Sequence, residues 1–182
     1  QAALLLVPTA VFAGVLSPLA GRLLDRVDPR ALLVPGLLTV TGALVLYAAL
    51  MNMDTPVWAF LIPAAMMGIG NAGMWGPLAT TATRDLPRHQ AGAGAGIYNT
   101  TRTVGSVLGS SSIAAMMQLS LEAQLPAGSA AGDVAAATEL PADLAGPFAT
   151  AMAQSMLLPA AVMALGVVAV CFLRRPDHLR TR

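Results

Sequence analysis

The sequence predicts an all-α membrane protein, a polytopic bundle of five transmembrane helices. Of its 182 residues, 56% are hydrophobic and only 10% are charged, whereas a soluble domain carries about 25% charged residues. The mean hydropathy is +0.70. Five segments carry at most one charge each and are about 20 or more residues long, enough to cross the lipid bilayer.

The predicted helices span about residues 1–21, 31–51, 56–80, 92–120 and 148–173. A long segment, residues 122–147, precedes the fifth helix and has four acidic residues, no basic residue and many Ala, Gly and Pro. This composition favours a solvated outer loop. Because the chain begins with Gln1 and is apolar from its start, we expect residues 1–182 to be part of a longer polypeptide.

The arginine positions predict the orientation of the helices. Nine of the ten arginines lie in the loop after the first helix, the loop after the third helix and the C-terminal tail, and the chain has no lysine. These segments fall on one side of an alternating five-helix map, and basic loops are cytoplasmic. We therefore expect a multi-pass protein of the inner (plasma) membrane with a cytoplasmic C-terminus.

Composition and motifs also exclude several classes of protein. The net charge is only +1, which does not suit a nucleic-acid-binding protein. The lone cysteine, Cys171, excludes a disulfide framework and a cysteine-rich metal site. The sequence contains no phosphate loop, nucleophile elbow or catalytic carboxylate pair. We predict no catalytic residue, no cofactor and no metal, and do not expect an enzyme.

The fourth predicted helix contains Arg102, a charge within a membrane span. Such a residue is costly to insert and marks a candidate functional site. Asn99 and Tyr98 lie three and four residues earlier, so the three side chains share one helix face. We predict that this face lines a cavity or a gate. The alternative role for Arg102 is structural, with its side chain snorkelling to the cytoplasmic interface.

Further cavity candidates are Asn71, Trp75 and Gln118. The indole of Trp75 suits stacking on an aromatic or cationic compound. The two amides can line the same cavity or only form hydrogen bonds between helices.

Glycines predict two different features. Gly105 and Gly109 are four residues apart and form a small-residue stripe that favours close packing of a neighbouring helix. Gly68, Gly70, Gly73 and Gly76 lie close to Pro77, and we expect this group to loosen the third helix.

The first inner loop, residues 21–30, resembles the loop signature of the major facilitator superfamily. The matching positions are Gly21, Asp25, Arg26 and Arg30, while Asp28-Pro29 departs from the pattern. The segment GAGAGIYNTTRTVGSVLG, residues 92–109, is similar to the penultimate helix of the fourteen-helix drug:proton antiporters of the EmrB/QacA type. The resemblance covers almost the whole chain and aligns it with the last five helices.

The resemblance implies a partial C-terminal transmembrane bundle whose N-terminal partner bundle belongs to the same polypeptide but lies outside this chain. Substrate would bind between the two bundles, and rocking of the bundles would give alternating access. The inner loop with Gly21, Asp25, Arg26 and Arg30 would act as a gate. Every Asp and Glu maps to a loop or a span edge, so a proton-coupling carboxylate would come from the N-terminal half.

The predicted function is proton-coupled efflux of drugs or other small compounds by alternating access. The small-molecule substrate and protons would then be its soluble partners. One alternative is a major facilitator carrier of another solute. The other alternative is a stand-alone membrane protein that transports nothing.

Overall fold

The computed structural model describes residues 2–24, 27–52, 55–84, 86–124 and 142–172. They form five long α-helices, which are α1 (Ala2–Leu24), α2 (Pro29–Leu50), α3 (Leu61–Thr83), α4 (Ala91–Gln124) and α5 (Ala142–Cys171). Short 3-10 helices at Val57–Phe60 and Arg88–Gln90 lead into α3 and α4. These ranges contain no strand. The predicted all-α fold with five membrane-spanning helices is confirmed, because each helix is long and apolar enough to cross a bilayer.

The helices at the predicted outer loop are longer than the sequence pattern indicates. Helix α4 continues through residues 122–124, and α5 includes residues 142–147. At 34 residues, α4 has a length of about 51 Å, well beyond the hydrocarbon thickness of about 30 Å. It must tilt in the membrane or extend past it. The rest of the predicted loop, residues 125–141, lies outside the described residues.

Helix α3 occupies the centre of the bundle, between α1 and α2. Helix α2 packs on its other side against α5, and α5 packs against α4. Buried side chains of α2, α3 and α5 form the apolar core where these helices meet, namely Leu33, Leu37, Met74 and Val170. Helices α1 and α2 barely touch each other, and α4 meets α3 over a short stretch only.

Glycines allow α3 to approach both neighbours closely. A Cβ atom added at Gly68 would lie 2.6 Å from the carbonyl oxygen of Thr9 in α1. One added at Gly70 would lie 2.8 Å from the carbonyl oxygen of Gly36 in α2. The Thr9 hydroxyl also donates a hydrogen bond of 2.7 Å to the Ala64 carbonyl. Since backbone cannot yield as a flexible side chain does, these positions admit only glycine without a shift of the helices.

The packing glycines therefore differ from those that the sequence indicates. Gly68 and Gly70, which the sequence pattern assigns to loosening of the third helix, fix its contacts with α1 and α2. Gly105 and Gly109 instead face open space, with no atom within 4 Å of an added Cβ. Their stripe has no neighbour within the described chain, so its packing role stays a prediction about a surface that some other segment would cover.

The inner-loop signature departs from its pattern at Asp28-Pro29 for a local reason. The Asp28 carboxylate accepts a 3.0 Å hydrogen bond from the backbone N–H of Arg30 and caps the N-terminus of α2. Pro29 is the first helical residue, a position where its missing N–H costs nothing. The signature's Gly21 lies near the end of α1 and Arg30 near the start of α2, whereas Asp25 and Arg26 lie outside the described residues.

We expect Gly70→Ala to destabilise the bundle by about 1–3 kcal/mol, because the new methyl group has to displace α2. Gly76→Ala is the matched control on the same helix, since an added Cβ there meets no atom within 4 Å. It should leave stability unchanged or raise it by up to about 1 kcal/mol through helix propensity. Thermal unfolding of the protein in a mild detergent measures both, and equal midpoints for the two variants would contradict the packing role of Gly70.

Candidate functional site

A cleft of about 490 Å³ lies between α3 and α4. We refer to it as the α3–α4 cleft. It is lined by residues of both helices, namely Trp75, Ala79, Thr80, Thr83, Arg84, Ala95, Tyr98, Asn99 and Arg102. Its volume lies within the range of about 300–1,000 Å³ that is usual for small-molecule sites.

Helical spacing explains how the sequence builds this cleft. On α3, Trp75, Ala79 and Thr83 recur every four residues, and on α4, Ala95, Asn99 and Arg102 recur at intervals of four and three. Residues at these intervals share a helix face. Because α3 and α4 contact each other over a short stretch only, the two faces stay apart and leave a gap.

Arg102 lies against Trp75 across the cleft. Its guanidinium carbon is 4.4 Å from the centre of the indole ring. The indole is held in turn by Asn71, one turn earlier on α3, whose Oδ1 accepts a 3.1 Å hydrogen bond from the Trp75 Nε1–H. The amide thus orients the ring, and the ring supports the cation. We refer to Asn71, Trp75 and Arg102 as the Asn–Trp–Arg unit.

The contact with Trp75 helps to stabilise a charge within a membrane helix. Arg102 lies eleven residues from the start of α4, about 17 Å along the helix axis. Inserting an arginine at depth costs about 3 kcal/mol on biological insertion scales. A cation–π contact contributes about 0.5–2 kcal/mol, with the larger values in desolvated sites, so the contact with Trp75 offsets part of that cost.

The stacking role that the sequence suggests for Trp75 is filled from within the chain. One face of the indole holds the guanidinium of Arg102. A cationic compound on that face would have to displace the guanidinium, and one elsewhere in the cleft would be repelled by it. The ring is 40% exposed, so its uncovered surface can still pack against the neutral part of a compound.

Arg84 is the cleft residue that sequence reasoning assigns to a different role. By sequence it belongs to a basic loop that sets topology, but it caps the C-terminus of α3 and lines the cleft. The signal is its spacing of four residues from Thr80, another residue that lines the cleft, because residues four apart share a helix face. Among the described lining residues, two are arginines and none is acidic.

The structure brings together five of the six cavity candidates. Tyr98 and Asn99 line the cleft beside Arg102, and Asn71 joins them through Trp75. Gln118 does not take part. It lies sixteen residues beyond Arg102 on α4, and its Nε2 donates a 3.3 Å hydrogen bond to Oε1 of Glu122.

A second cleft, of about 1040 Å³, separates α1 from α2 on the surface of α3. Its lining is almost wholly apolar, with side chains such as Leu16, Leu19 and Ile69, and its charged side chain is Arg22. An open apolar groove of this kind is suited to lipid chains or another helix and offers little chemical specificity. Within the described ranges, no group of three or more His, Cys, Asp and Glu side chains could hold a metal ion.

We expect loss of the Arg102 guanidinium to change the environment of Trp75 and loss of the Gln118 amide to leave it unchanged. Fluorine-19 NMR of protein labelled with 5-fluorotryptophan measures this, with the Trp75 signal assigned by its absence in Trp75→Phe. Arg102→Gln should shift that signal, because it removes a cation from the ring face. The control Gln118→Leu should not. An unmoved signal in Arg102→Gln would contradict the stacked geometry.

Comparison with known proteins gives the family. The chain is 42% identical over 176 residues to the uncharacterized MFS-type transporter Rv1250 of Mycobacterium tuberculosis, an alignment that covers 94% of this chain and 30% of the relative. It is 38% identical over 96 residues, covering 51% of this chain and 19% of the relative, to the puromycin resistance protein pur8 of Streptomyces alboniger. It is 30% identical over 109 residues, covering 60% and 23%, to the lincomycin resistance protein LmrB of Listeria monocytogenes.

The chain thus spans less than a third of the length of each of these relatives. No solved structure matches it significantly. The sequence profile of the Major Facilitator Superfamily matches residues 1–110, more than half of the chain. The chain therefore belongs to the Major Facilitator Superfamily.

Proposed function

We propose that this chain is the C-terminal part of a longer membrane transporter that exports drugs or other small compounds. Membership of a family of transporters supports membrane transport. Two relatives are named for resistance to lincomycin and to puromycin, which favours export of toxic compounds. The short span of this chain relative to those proteins agrees with a part of a larger whole.

The Asn–Trp–Arg unit in the α3–α4 cleft is the observation that carries the proposal. A charged side chain within a membrane helix is costly to insert and by default indicates a functional site. Here the cation, the indole and two further polar side chains, Tyr98 and Asn99, meet in one cleft large enough for a small molecule. We assign this cleft to the route that the substrate takes.

We further infer that the transporter is of the fourteen-helix EmrB/QacA type and works by alternating access between two bundles. The stripe around Gly105 and Gly109 would then pack against the N-terminal bundle. Its hydroxyls suit such a contact, because Ser106 and Ser110 donate hydrogen bonds to backbone carbonyls of their own helix. These donors therefore need no partner on the neighbouring helix. The gate would lie in the inner loop with Gly21, Asp25, Arg26 and Arg30.

Proton coupling would depend on a carboxylate outside this chain. Among the described residues, the acidic side chains lie at helix ends, with Asp28 capping α2 and Glu122 in the last turn of α4. Carboxylates that take up and release a proton during transport lie within membrane spans and face the bundle interior or a water-filled cavity. We therefore place the coupling carboxylate in the N-terminal bundle.

We further propose a location in the inner (plasma) membrane, and the arginines at the helix ends support an orientation with a cytoplasmic C-terminus. Arg22 and Arg30 lie at the helix ends that the α1–α2 connection joins. Arg84 lies at the end of α3, where the connection to α4 begins. These ends would face the cytoplasm under the positive-inside rule.

Transport by the full-length polypeptide tests the proposed function. Everted membrane vesicles that contain it should accumulate lincomycin, puromycin or 4-phenylbutyrate above vesicles that lack it, and a protonophore should abolish the difference. Trp75→Leu and Arg102→Gln should lower the initial rate of 4-phenylbutyrate uptake at least about fivefold, since Arg102 can bind its carboxylate and each variant breaks the Asn–Trp–Arg unit. Gln118→Leu is the matched control and should stay within about twofold of the unsubstituted protein.

Three outcomes would contradict this proposal in different ways. Uptake that resists the protonophore would exclude proton coupling. Uptake that is equal in Trp75→Leu, Arg102→Gln and Gln118→Leu would remove the cleft from the substrate route. A full-length product of about the size of this chain, with no energised uptake of any probe, would indicate a membrane protein that transports nothing.

The gating role of the inner loop yields a separate expectation. Asp25→Asn in the full-length protein should lower the rate of transport but leave the affinity for substrate unchanged. The reason is that a carboxylate near a helix N-terminus stabilises one conformation without touching the substrate. Initial rates over a range of substrate concentrations separate the two effects, and an unchanged maximal rate would exclude a role for Asp25 in gating.

A further inference from the structure

We propose that the α3–α4 cleft selects compounds that carry an oxyanion, above all a carboxylate, next to an apolar or aromatic body. This inference rests on the proposed function and narrows its substrate class. It differs from the expectation that Trp75 stacks on a cationic compound. The geometry of the Asn–Trp–Arg unit, the charges around the cleft and its apolar lining carry the inference.

A guanidinium that lies against an aromatic ring is well prepared to bind an oxyanion. The 4.4 Å distance places the guanidinium of Arg102 at van der Waals separation over the indole of Trp75. Arg102 donates no hydrogen bond to another described residue, so the N–H donors along its guanidinium edge stay available. That edge matches the spacing of two carboxylate oxygens and binds them in parallel.

The ring contact also fixes the position of the cation before a ligand arrives. A free arginine side chain loses rotamer freedom when it binds an anion, and the indole reduces that loss. Asn71 in turn fixes the indole through its hydrogen bond to Nε1. Asn71 and Trp75 are therefore positioning residues, and Arg102 is the residue that would touch the oxyanion.

The charges around the cleft favour an anion and disfavour a cation. Arg84 lies at the helix end and Arg102 deeper in the cleft, and no described lining residue is acidic. Arg102 has no carboxylate partner among the described residues; its recorded partner is the neutral indole. In a membrane setting, where screening is weak, the cation of Arg102 raises the local concentration of anions and repels amines.

The remaining lining provides a surface for the neutral part of the compound. Ala79 and Ala95 are small and apolar, and the exposed part of the Trp75 ring extends that surface. Tyr98 and Thr80 bring hydroxyl groups, each of which can donate a further hydrogen bond to a carboxylate oxygen. An aromatic acid with a short chain fits this arrangement of a polar end and an apolar wall.

The test compares three compounds that share one skeleton and differ in charge, namely 4-phenylbutyrate, 4-phenylbutanol and 4-phenylbutylamine. The full-length protein is labelled with 5-fluorotryptophan and placed in phosphatidylcholine nanodiscs. Titration of the Trp75 fluorine signal gives the affinity for each compound, with partitioning into empty nanodiscs subtracted. We expect the carboxylate to bind at least about tenfold more tightly than the amine, with the alcohol between them.

Arginine variants identify the side chain responsible. Arg102→Gln should reduce the preference for the carboxylate over the amine to less than about twofold. Arg22→Gln, which removes an arginine of the other cleft, should leave the preference intact. If Arg102→Gln fails to fold, Arg102→Lys serves instead. It should keep a preference for the carboxylate with weaker affinity, because it keeps the charge and loses the paired donors.

An amine that binds as tightly as the carboxylate would overturn the inference, and so would a preference that survives in Arg102→Gln. Neither result affects the proposed function, which depends on energised uptake of any of its probes. Conversely, charge-selective binding with no energised uptake would overturn the proposed function alone. A Trp75 signal that responds to none of the three compounds would also overturn the inference, since it would show that the cleft accepts no such ligand.

Discussion

The close backbone contact of α3 with both α1 and α2 is the constraint from which the rest of the structure follows. Gly68 meets the backbone of α1, and Gly70 meets Gly36 of α2, at distances that leave no room for a side chain. In lipid, helices gain little from burying apolar surface against each other, so close backbone packing is a main source of association. Helix α3 is therefore fixed on two sides, and its third side is left to form the site.

The weak attachment of α4 to α3 follows from this arrangement. Helix α4 is held mainly by α5, which in turn packs on α2, and so α3 and α4 are linked largely through a chain of intermediate helices. The gap between them is bridged by Arg102 on Trp75. A cation on an aromatic ring suits this place, because it ties two helices together and still leaves hydrogen-bond donors for a ligand.

Much of the fold and part of the site could be predicted from the sequence. Length and apolarity are enough to find five spans, because crossing a bilayer imposes both. An intramembrane charge such as Arg102 is rare and costly, so it marks α4 as the helix that carries the candidate site, and helical spacing adds Tyr98 and Asn99. The pairing of α4 with α3 could not be derived, because spacing along one helix does not reveal its partner.

The glycines illustrate the same limit. A small-residue stripe such as that at Gly105 and Gly109 shows that close packing is sterically allowed, but not which helix, if any, fills the space. From the sequence, Gly68 and Gly70 predict a loosened third helix. Only the neighbouring backbones of α1 and α2 show that the two glycines allow close packing. The sequence pattern places Arg84 in a basic loop, whereas in the structure it caps α3 and lines the cleft.

A double-mutant cycle on Trp75 and Arg102 tests most directly whether the Asn–Trp–Arg unit acts as one element of the substrate route. The quantity measured is the initial rate of energised uptake of 4-phenylbutyrate by Trp75→Leu, Arg102→Gln and the double variant. Residues that act as a unit show strongly non-additive losses. We therefore expect the double variant to be about as slow as the slower single variant. Losses that multiply would contradict a shared role and would show that the two side chains act independently.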